Sequence, residues 1–271
     1  ATERALRDLR VFRKVTLEEV PTDLPNVRDV RIVTEPSDTA FLYAGVATGE
    51  SRGFAARVSL VERNVGGRAD QISLTLSGGE DLSFSLSYLD RDLGDSDWSA
   101  RYALFRSVAR RRAYDVTTLG ITATFSRELA ERLSESWRIR FADVAIDDVD
   151  DDVRARLDDY TVAALRYRRA LDMTDDSKWP TRGYYVGGDI EGGHADAAFV
   201  RLGLDASHYT PLPADGVWAA TLLADVLPLP TDRDDLGIEE RLVLGGRGTI
   251  RGFRGRTIGP RDEGDEDLAL G

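Results

Sequence analysis

Ile72-Ser73-Leu74-Thr75-Leu76-Ser77 and, shortly after, Leu82-Ser83-Phe84-Ser85-Leu86-Ser87-Tyr88 alternate apolar and hydroxyl side chains without a break. A pleated strand sends successive side chains to opposite faces, so this pattern builds a sheet with one apolar face and one hydroxyl-lined face. Further along, Val200, Leu202, Leu204 and Ala206 alternate in the same way with Arg201, Gly203, Asp205 and Ser207. Extending the period in both directions gives eleven candidate strands, over 39–48, 52–63, 69–78, 81–90, 97–107, 115–127, 133–146, 157–171, 182–192, 196–209 and 216–227. Many reach the ~9–11 residues of a tilted membrane-crossing strand, beyond the ~5–6 usual in soluble sheets. Consecutive hairpins with no helical period between them make an antiparallel meander, so the class is all-β. Periodicity does not say which face is wet. A soluble sandwich, a lipocalin-like barrel and a membrane barrel all fit it.

Composition narrows the chemistry. Lys plus Arg number 36 and Asp plus Glu 48, a formal charge of −12, which argues against sequence-independent nucleic-acid binding. There is no Cys, which removes disulfides and thiol chemistry, and His194 and His208 are the only imidazoles. No run approaches the ~18 apolar residues of a spanning helix. The first residues, Ala1-Thr2-Glu3-Arg4, are not a signal peptide, so an exported protein would carry its leader upstream. Acidic clusters at Asp147 to Asp152, Asp158–Asp159, Asp175–Asp176 and Asp232 to Asp235 lack the spacing of a calcium loop and read as solvated connections. No Gly-x-Ser-x-Gly elbow accompanies the two His, so a barrel-based hydrolase has little to stand on. No catalytic residue, metal site or cofactor is expected.

Two segments depart from the meander. Leu6, Leu9 and Val11 follow helical spacing, and Val11–Leu17 and Val27–Val33 read as strands joined by a turn over Pro21–Pro25, a fragment of a small α+β module. The other is the long connection from Pro228 to Glu266. It holds Gly245-Gly246-Arg247-Gly248-Thr249-Ile250-Arg251-Gly252-Phe253 and Thr257-Ile258-Gly259-Pro260-Arg261-Asp262. Its glycines suit a backbone that turns sharply or lies close against something. No Lys-Ser/Thr follows them, so it is not a phosphate loop.

Those residues resemble the sixth extracellular loop of the outer-membrane assembly barrels, the BamA/TamA family. Its core signature is an aliphatic-Arg-Gly-aromatic tetrad, here Ile250-Arg251-Gly252-Phe253, with Gly245-Gly246 before it and Gly259-Pro260 after it. The Thr257-Ile258-Gly259-Pro260 ending is more similar to the BamA branch. Leu6–Val15 resembles the helix-to-strand passage of a polypeptide-transport-associated (POTRA) domain. Tyr43–Thr48 resembles the family's first barrel strand, Arg63-Asn64-Val65-Gly66-Gly67 its second-to-third-strand turn, and Trp179-Pro180-Thr181-Arg182-Gly183 the turn before its ninth strand.

The resemblance implies an organisation: 1–36 as the C-terminal part of a POTRA domain in the periplasm, and 37–271 as a bacterial outer-membrane β-barrel incomplete at its C-terminus, about eleven to twelve of sixteen strands. Strand parity agrees, because a first strand leaving the periplasm makes the connection after the eleventh extracellular. An isolated fragment of this kind, with open sheet edges, is expected to be unstable in a membrane. The resemblance further implies assembly or insertion of β-barrel proteins into the outer membrane. Unfolded outer-membrane proteins would be substrates, with periplasmic or lipoprotein accessory subunits and outer-membrane lipid as the other partners. Arg251 would sit in the lumen, Gly252 would allow close approach, Phe253 would pack beside it, and the acidic partner would lie after Gly271. The edge Phe41-Leu42-Tyr43-Ala44-Gly45-Val46-Ala47-Thr48 would accept a substrate strand, with Gly45 and Gly49 easing its opening. A TamA-like role in translocating or assembling autotransporter-type proteins and a passive porin-like channel are the alternatives.

Overall fold

The computed structural model describes residues 6, 9, 11–22, 28–49, 53–79, 81–111, 114–149, 157–230, 235–246, 249–250, 252–253 and 256–260. At the N-terminal end β1 (Phe12–Pro21) pairs antiparallel with β2 (Arg28–Pro36) in a separate two-stranded sheet. Val11 and Val15 are buried there, whereas β2 is exposed along its length. Apart from Leu6 and Leu9, the helix expected over 1–10 lies outside the described residues, as does most of the Pro21–Pro25 turn.

From Ala40 the chain forms one eleven-stranded antiparallel sheet in which every strand pairs with its sequence neighbours. Its strands are β3 (Ala40–Gly49), β4 (Gly53–Val65), β5 (Asp70–Gly78), β6 (Leu82–Asp90), β7 (Ser99–Arg110) and β8 (Asp115–Ala130). They continue as β9 (Leu133–Asp147), β10 (Tyr160–Asp172), β11 (Gly183–Ala195), β12 (Ala197–Pro211) and β13 (Val217–Leu229). These match the eleven strands read from the period, with ends differing by at most three residues.

Register sorts the two faces. Ser59 lies opposite Thr75 and Ser73 opposite Ser87, and their hydroxyls bond across the strands at 2.9 and 2.8 Å. Ser99 and Ser126 do the same at 3.0 Å. On this hydroxyl face the segment after β13 buries Leu236 and Ile238, which makes it the inner face. The other face carries Val46, Phe54, Leu60, Leu104, Ile121 and Phe141, all exposed. An apolar surface running across all eleven strands far exceeds what a soluble protein leaves in water, and its place is against lipid.

Most charge follows the same division, with Arg106 and Asp143 on the outer phase toward the upper rim as exceptions. On β10, Arg166 and Arg168 point inward and bond Asp189 Oδ1 at 2.6 and 2.9 Å, with Arg168 also reaching Asp205 at 2.6 Å. Arg169 has the opposite parity and lies 3.7 Å from Glu135 near the lower rim, the end where β3 begins. Each Arg kept from the lipid midplane avoids ~2–4 kcal/mol. Both His stand within strands: His194 is near the end of β11, and His208 of β12 meets Trp218 edge-on at 6.2 Å.

The lower turn between β10 and β11 is ordered by carboxylates, so its acidic pair is more than a solvated surface. Asp175 Oδ1 accepts the backbone N–H groups of Thr181 (2.9 Å) and Arg182 (3.0 Å), and Asp176 Oδ1 those of Lys178 and Trp179 (both 2.8 Å). The Thr181 hydroxyl bond and these N–H groups hold the Asp175 carboxyl well below its ordinary range. Gly183 closes the turn at φ +104°, where a Cβ would collide with the Met173 carbonyl. Facing is the testable point. In the full-length protein, Ile121→Arg is expected to cost ~2–4 kcal/mol of folding into lipid vesicles, and Thr122→Arg on the inner face less, as read by urea titration.

Candidate functional site

The site is built where the segment after β13 returns onto the inner face. Near the upper rim, where the odd-numbered strands end, that face is apolar: Tyr114, Val116, Ala142, Val144, Tyr160, Val162 and Phe199 form a buried cluster. Leu236 and Ile238 complete it. Gly237 between them lies so close to the Tyr160 ring that a Cβ would overlap it. Immediately below stand Arg140 on β9, Glu191 on β11 and Arg201 on β12, with β10 between the first two. The short 3-10 turn Ile238–Glu240 lowers two carboxylates toward this wall.

Glu240 takes Arg140 in a two-pronged pair, Nη1 to Oε1 at 2.9 Å and Nη2 to Oε2 at 2.7 Å. The same guanidinium reaches Glu191 at 3.3 Å, and Arg201 bridges Glu191 and Glu240 at 3.7 Å each while donating to the Glu240 carbonyl. Glu239 is held from the side: Arg111 donates to Oε1 and Oε2 at 3.2 and 2.8 Å, and the Tyr114 hydroxyl to Oε1 at 2.6 Å. Arg256 lies 3.7 Å from the same carboxylate and donates to the Ile238 carbonyl at 2.8 Å. The Glu239 N–H donates to the Tyr160 hydroxyl at 3.1 Å. Burial pushes the Glu239 carboxyl up, but the Arg111 hydrogen bonds and the charges of Arg256 and Arg111 outweigh it and leave the group below its ordinary value. Two-pronged Arg–carboxylate pairs fix geometry as well as charge. Arrayed at both corners of the turn, they clamp it to the wall.

Beyond the clamp the chain makes a narrow finger. Leu244 and Ile258 exchange backbone bonds at 2.9 and 3.0 Å, and Gly246 N–H donates to the Phe253 carbonyl at 3.0 Å. Gly245 and Gly246 take φ +112° and +91°, and Gly252 +88°, which suits glycine at each. The motif residues Gly245, Gly246, Ile250, Gly252, Phe253, Gly259 and Pro260 therefore lie along one finger, while Arg251 lies outside the described residues. Ile250 and Phe253 are exposed there.

Phe41–Thr48 forms most of β3, paired to β4 on one side from Ala40↔Glu62 to Gly49↔Gly53. Its other edge has no partner among the described residues, and neither does that of β13. Phe41, Tyr43, Gly45 and Ala47 share the inner phase; Leu42 and Val46 face outward. A Cβ at Gly45 would meet nothing within 4 Å, so no close approach demands that glycine.

Glu239, Glu240, Arg111 and Arg140 were not singled out from the sequence. The signal available was the shared inner phase of Arg140, Glu191 and Arg201, set against a Glu-Glu-Arg run in the long connection.

Comparison with known proteins settles the family. The Omp85 superfamily domain matches residues 64–271, most of the chain. The chain belongs to the Omp85 superfamily. It is 26% identical over 269 residues to the outer membrane protein assembly factor BamA of Nitratidesulfovibrio vulgaris, covering 95% of this chain and 34% of that protein. It is 26% identical to the mouse sorting and assembly machinery component 50 homolog, covering 98% of this chain and 59% of that one. The chain thus spans a third to under two thirds of these relatives. Among solved structures, BamA from Haemophilus ducreyi lacking POTRA domains 1–3 superposes with a TM-score of 0.75 at 17% identity, over 96% of this chain and 54% of that one. CdiB from Acinetobacter baumannii superposes at 0.59 and 15%, over 94% and 51%. These Omp85 likenesses fix the fold as an outer-membrane β-barrel sheet.

Removing one clamp partner strands the other. Glu240→Gln is expected to destabilise the seated loop by about 2–4 kcal/mol, less than a fully buried pair because Arg140 keeps a quarter of its side chain exposed. Limited proteolysis and thermal unfolding would show it. Because the Glu239 carboxyl is lowered in the folded state, its contribution is complete above the ordinary value of 4.5 and is lost only as pH falls through the lowered one. Protease resistance of the loop should therefore hold from neutral pH down to about 4.5 and fail only as the pH falls further.

Proposed function

We propose that this Omp85 chain works in assembling β-barrel proteins into the bacterial outer membrane, by offering the free edge of β3 to an incoming strand. The observation that carries the reading is an edge strand without a partner among the described residues, on a wall whose upper end is braced by the Glu239–Glu240 clamp. An open edge presents unpaired N–H and C=O groups, and in a membrane only another strand can satisfy them. Backbone pairing of this kind recognises an extended partner without reading its sequence, which suits a machine with many clients. The naming of BamA and of the sorting and assembly machinery homolog as assembly proteins supports the same role.

In this reading residues 1–36 are the end of a POTRA domain on the periplasmic side, the long loop enters from outside, and accessory subunits dock below. Unfolded outer-membrane proteins are the substrates. The work is strand exchange and needs no catalytic residue or cofactor. Arg251, outside the described residues, is assigned by the family resemblance a lumenal role that pairs it with an acidic partner on later strands. Gly252 gives it room and Phe253 packs beside it.

Two experiments test this in the full-length protein. Cross-linkers placed over Phe41–Thr48 should capture the terminal strand of an unfolded client, and capture only at other strands would reject the edge assignment. Arg251→Ala should lose heat-modifiability or fail to complement a deletion. Wild-type behaviour in both would remove Arg251 from the mechanism.

A further inference from the structure

β3 is not held to β4 evenly. Near its lower end Phe41 and Tyr43 stack on the inner face, ring centroids 6.0 Å apart at 20°. Arg63, from the far end of β4, lays its guanidinium over the Phe41 ring at 4.4 Å and donates to the Tyr43 hydroxyl at 2.8 Å. Its own N–H donates to the Thr39 carbonyl at 3.0 Å, so one residue grips the strand at three points.

Arg63 is itself braced. The next residues enter the β4–β5 turn, where the Asn64 side chain accepts the Ala69 N–H at 3.0 Å and Glu62 accepts the Asn64 N–H at 2.8 Å. Gly66 and Gly67 pass through positive φ, and buried Asp70 accepts the Tyr88 hydroxyl at 2.7 Å. The upper half of β3 has nothing comparable. Gly45 faces Arg57, Ala47 faces Ala55 and Gly49 faces Gly53, and among the described residues the side chains of Ala44 to Thr48 make no hydrogen bond or ring contact.

Small residues on a strand specify register weakly, because a slip of two keeps every side chain on its own face and costs little where nothing is gripped. A slip of β3 against β4 would, however, tear Phe41 and Tyr43 from Arg63. We infer that Arg63 is a positioning residue that fixes the register in which β3 presents its free edge. This rests on the edge-acceptor reading above. The strand that pairs with β3 then inherits its register from the lower clamp, and the loose upper half follows.

These 271 residues hold no Cys, so introduced cysteines report cleanly once any Cys elsewhere in the full-length protein is replaced. In the full-length protein in lipid vesicles, cysteines at Leu42, Ala44 and Val46 are paired by disulfide formation with a cysteine scan over Leu60, Val58 and Ala56 of β4, which reads the register of β3, and client capture on β3 is read separately with cysteines in an unfolded client's terminal strand. The wild type should give one dominant partner for each position. Arg63→Gln should spread cross-linking to partners two residues away, lowering the ratio of main to shifted product at least threefold, and Arg63→Lys should restore most of it. Tyr43→Phe, which removes a single hydroxyl and spares the fold, should give an intermediate spread and decides the matter if Arg63→Gln fails to fold. Undiminished register in Arg63→Gln, or in Tyr43→Phe should that be the only folded variant, overturns the assignment. No client capture on β3 in the wild type removes the edge-acceptor reading itself and this inference with it, a result distinct from unchanged register.

Discussion

Lipid offers no hydrogen bonds, so a strand that enters it must find both neighbours in protein. That constraint organises the chain. Eleven strands pair in sequence order, the pleat gives every second side chain to the outer face, and most of the polar chemistry lies on the other face and toward the rims. The same constraint makes an edge without a partner costly, and among the described residues β3 and β13 each present one.

The inner face is divided. From β4 to β8 it is lined largely by Ser, Thr, Ala and Gly, whose hydroxyls satisfy one another across the strands. From β9 to β12 it carries Arg138, Arg140, Arg166, Arg168 and Arg201 against Asp189, Glu191 and Asp205. The charged half receives the loop and is cross-braced by it. The half beside the edge strand carries fewer charges, chiefly Arg57, Arg63 and Arg101 among the described residues, and its many small side chains leave the wall room to adjust. Stiffness on one side and latitude on the other is what a sheet needs if it is to keep its shape while one edge exchanges partners.

Much of this was legible in the sequence, for a physical reason. Period-two alternation is local, so Ile72–Ser77 and Leu82–Tyr88 announce their strands and the split into two faces directly, although not which face is wet. The Ile-Arg-Gly-Phe tetrad marked the loop, although Arg251 itself lies outside the described residues. The clamp was not legible. Glu240 meets Arg140 and Glu239 meets Arg111 across separations of 100 and 128 residues, and the connecting segment has no period to place it. Nor does spacing reveal that Asp175 and Asp176 order a turn, because an acidic pair in a loop reads first as solvated surface. Local pattern fixes elements, whereas contacts between a loop and a distant wall depend on closure of the whole sheet.

The central claim is that the hydroxyl face lines an aqueous interior while the apolar face meets lipid. Single spin labels at each position of Ile72–Ser77 and Leu82–Tyr88, in the full-length protein in lipid vesicles, test it most directly. The account predicts collision with dissolved oxygen at Ile72, Leu74, Leu76, Leu82, Phe84 and Leu86. It predicts collision with a water-soluble nickel chelate at Ser73, Thr75, Ser77, Ser83, Ser85 and Ser87. Accessibility with the opposite phase, or with no alternation, would contradict it.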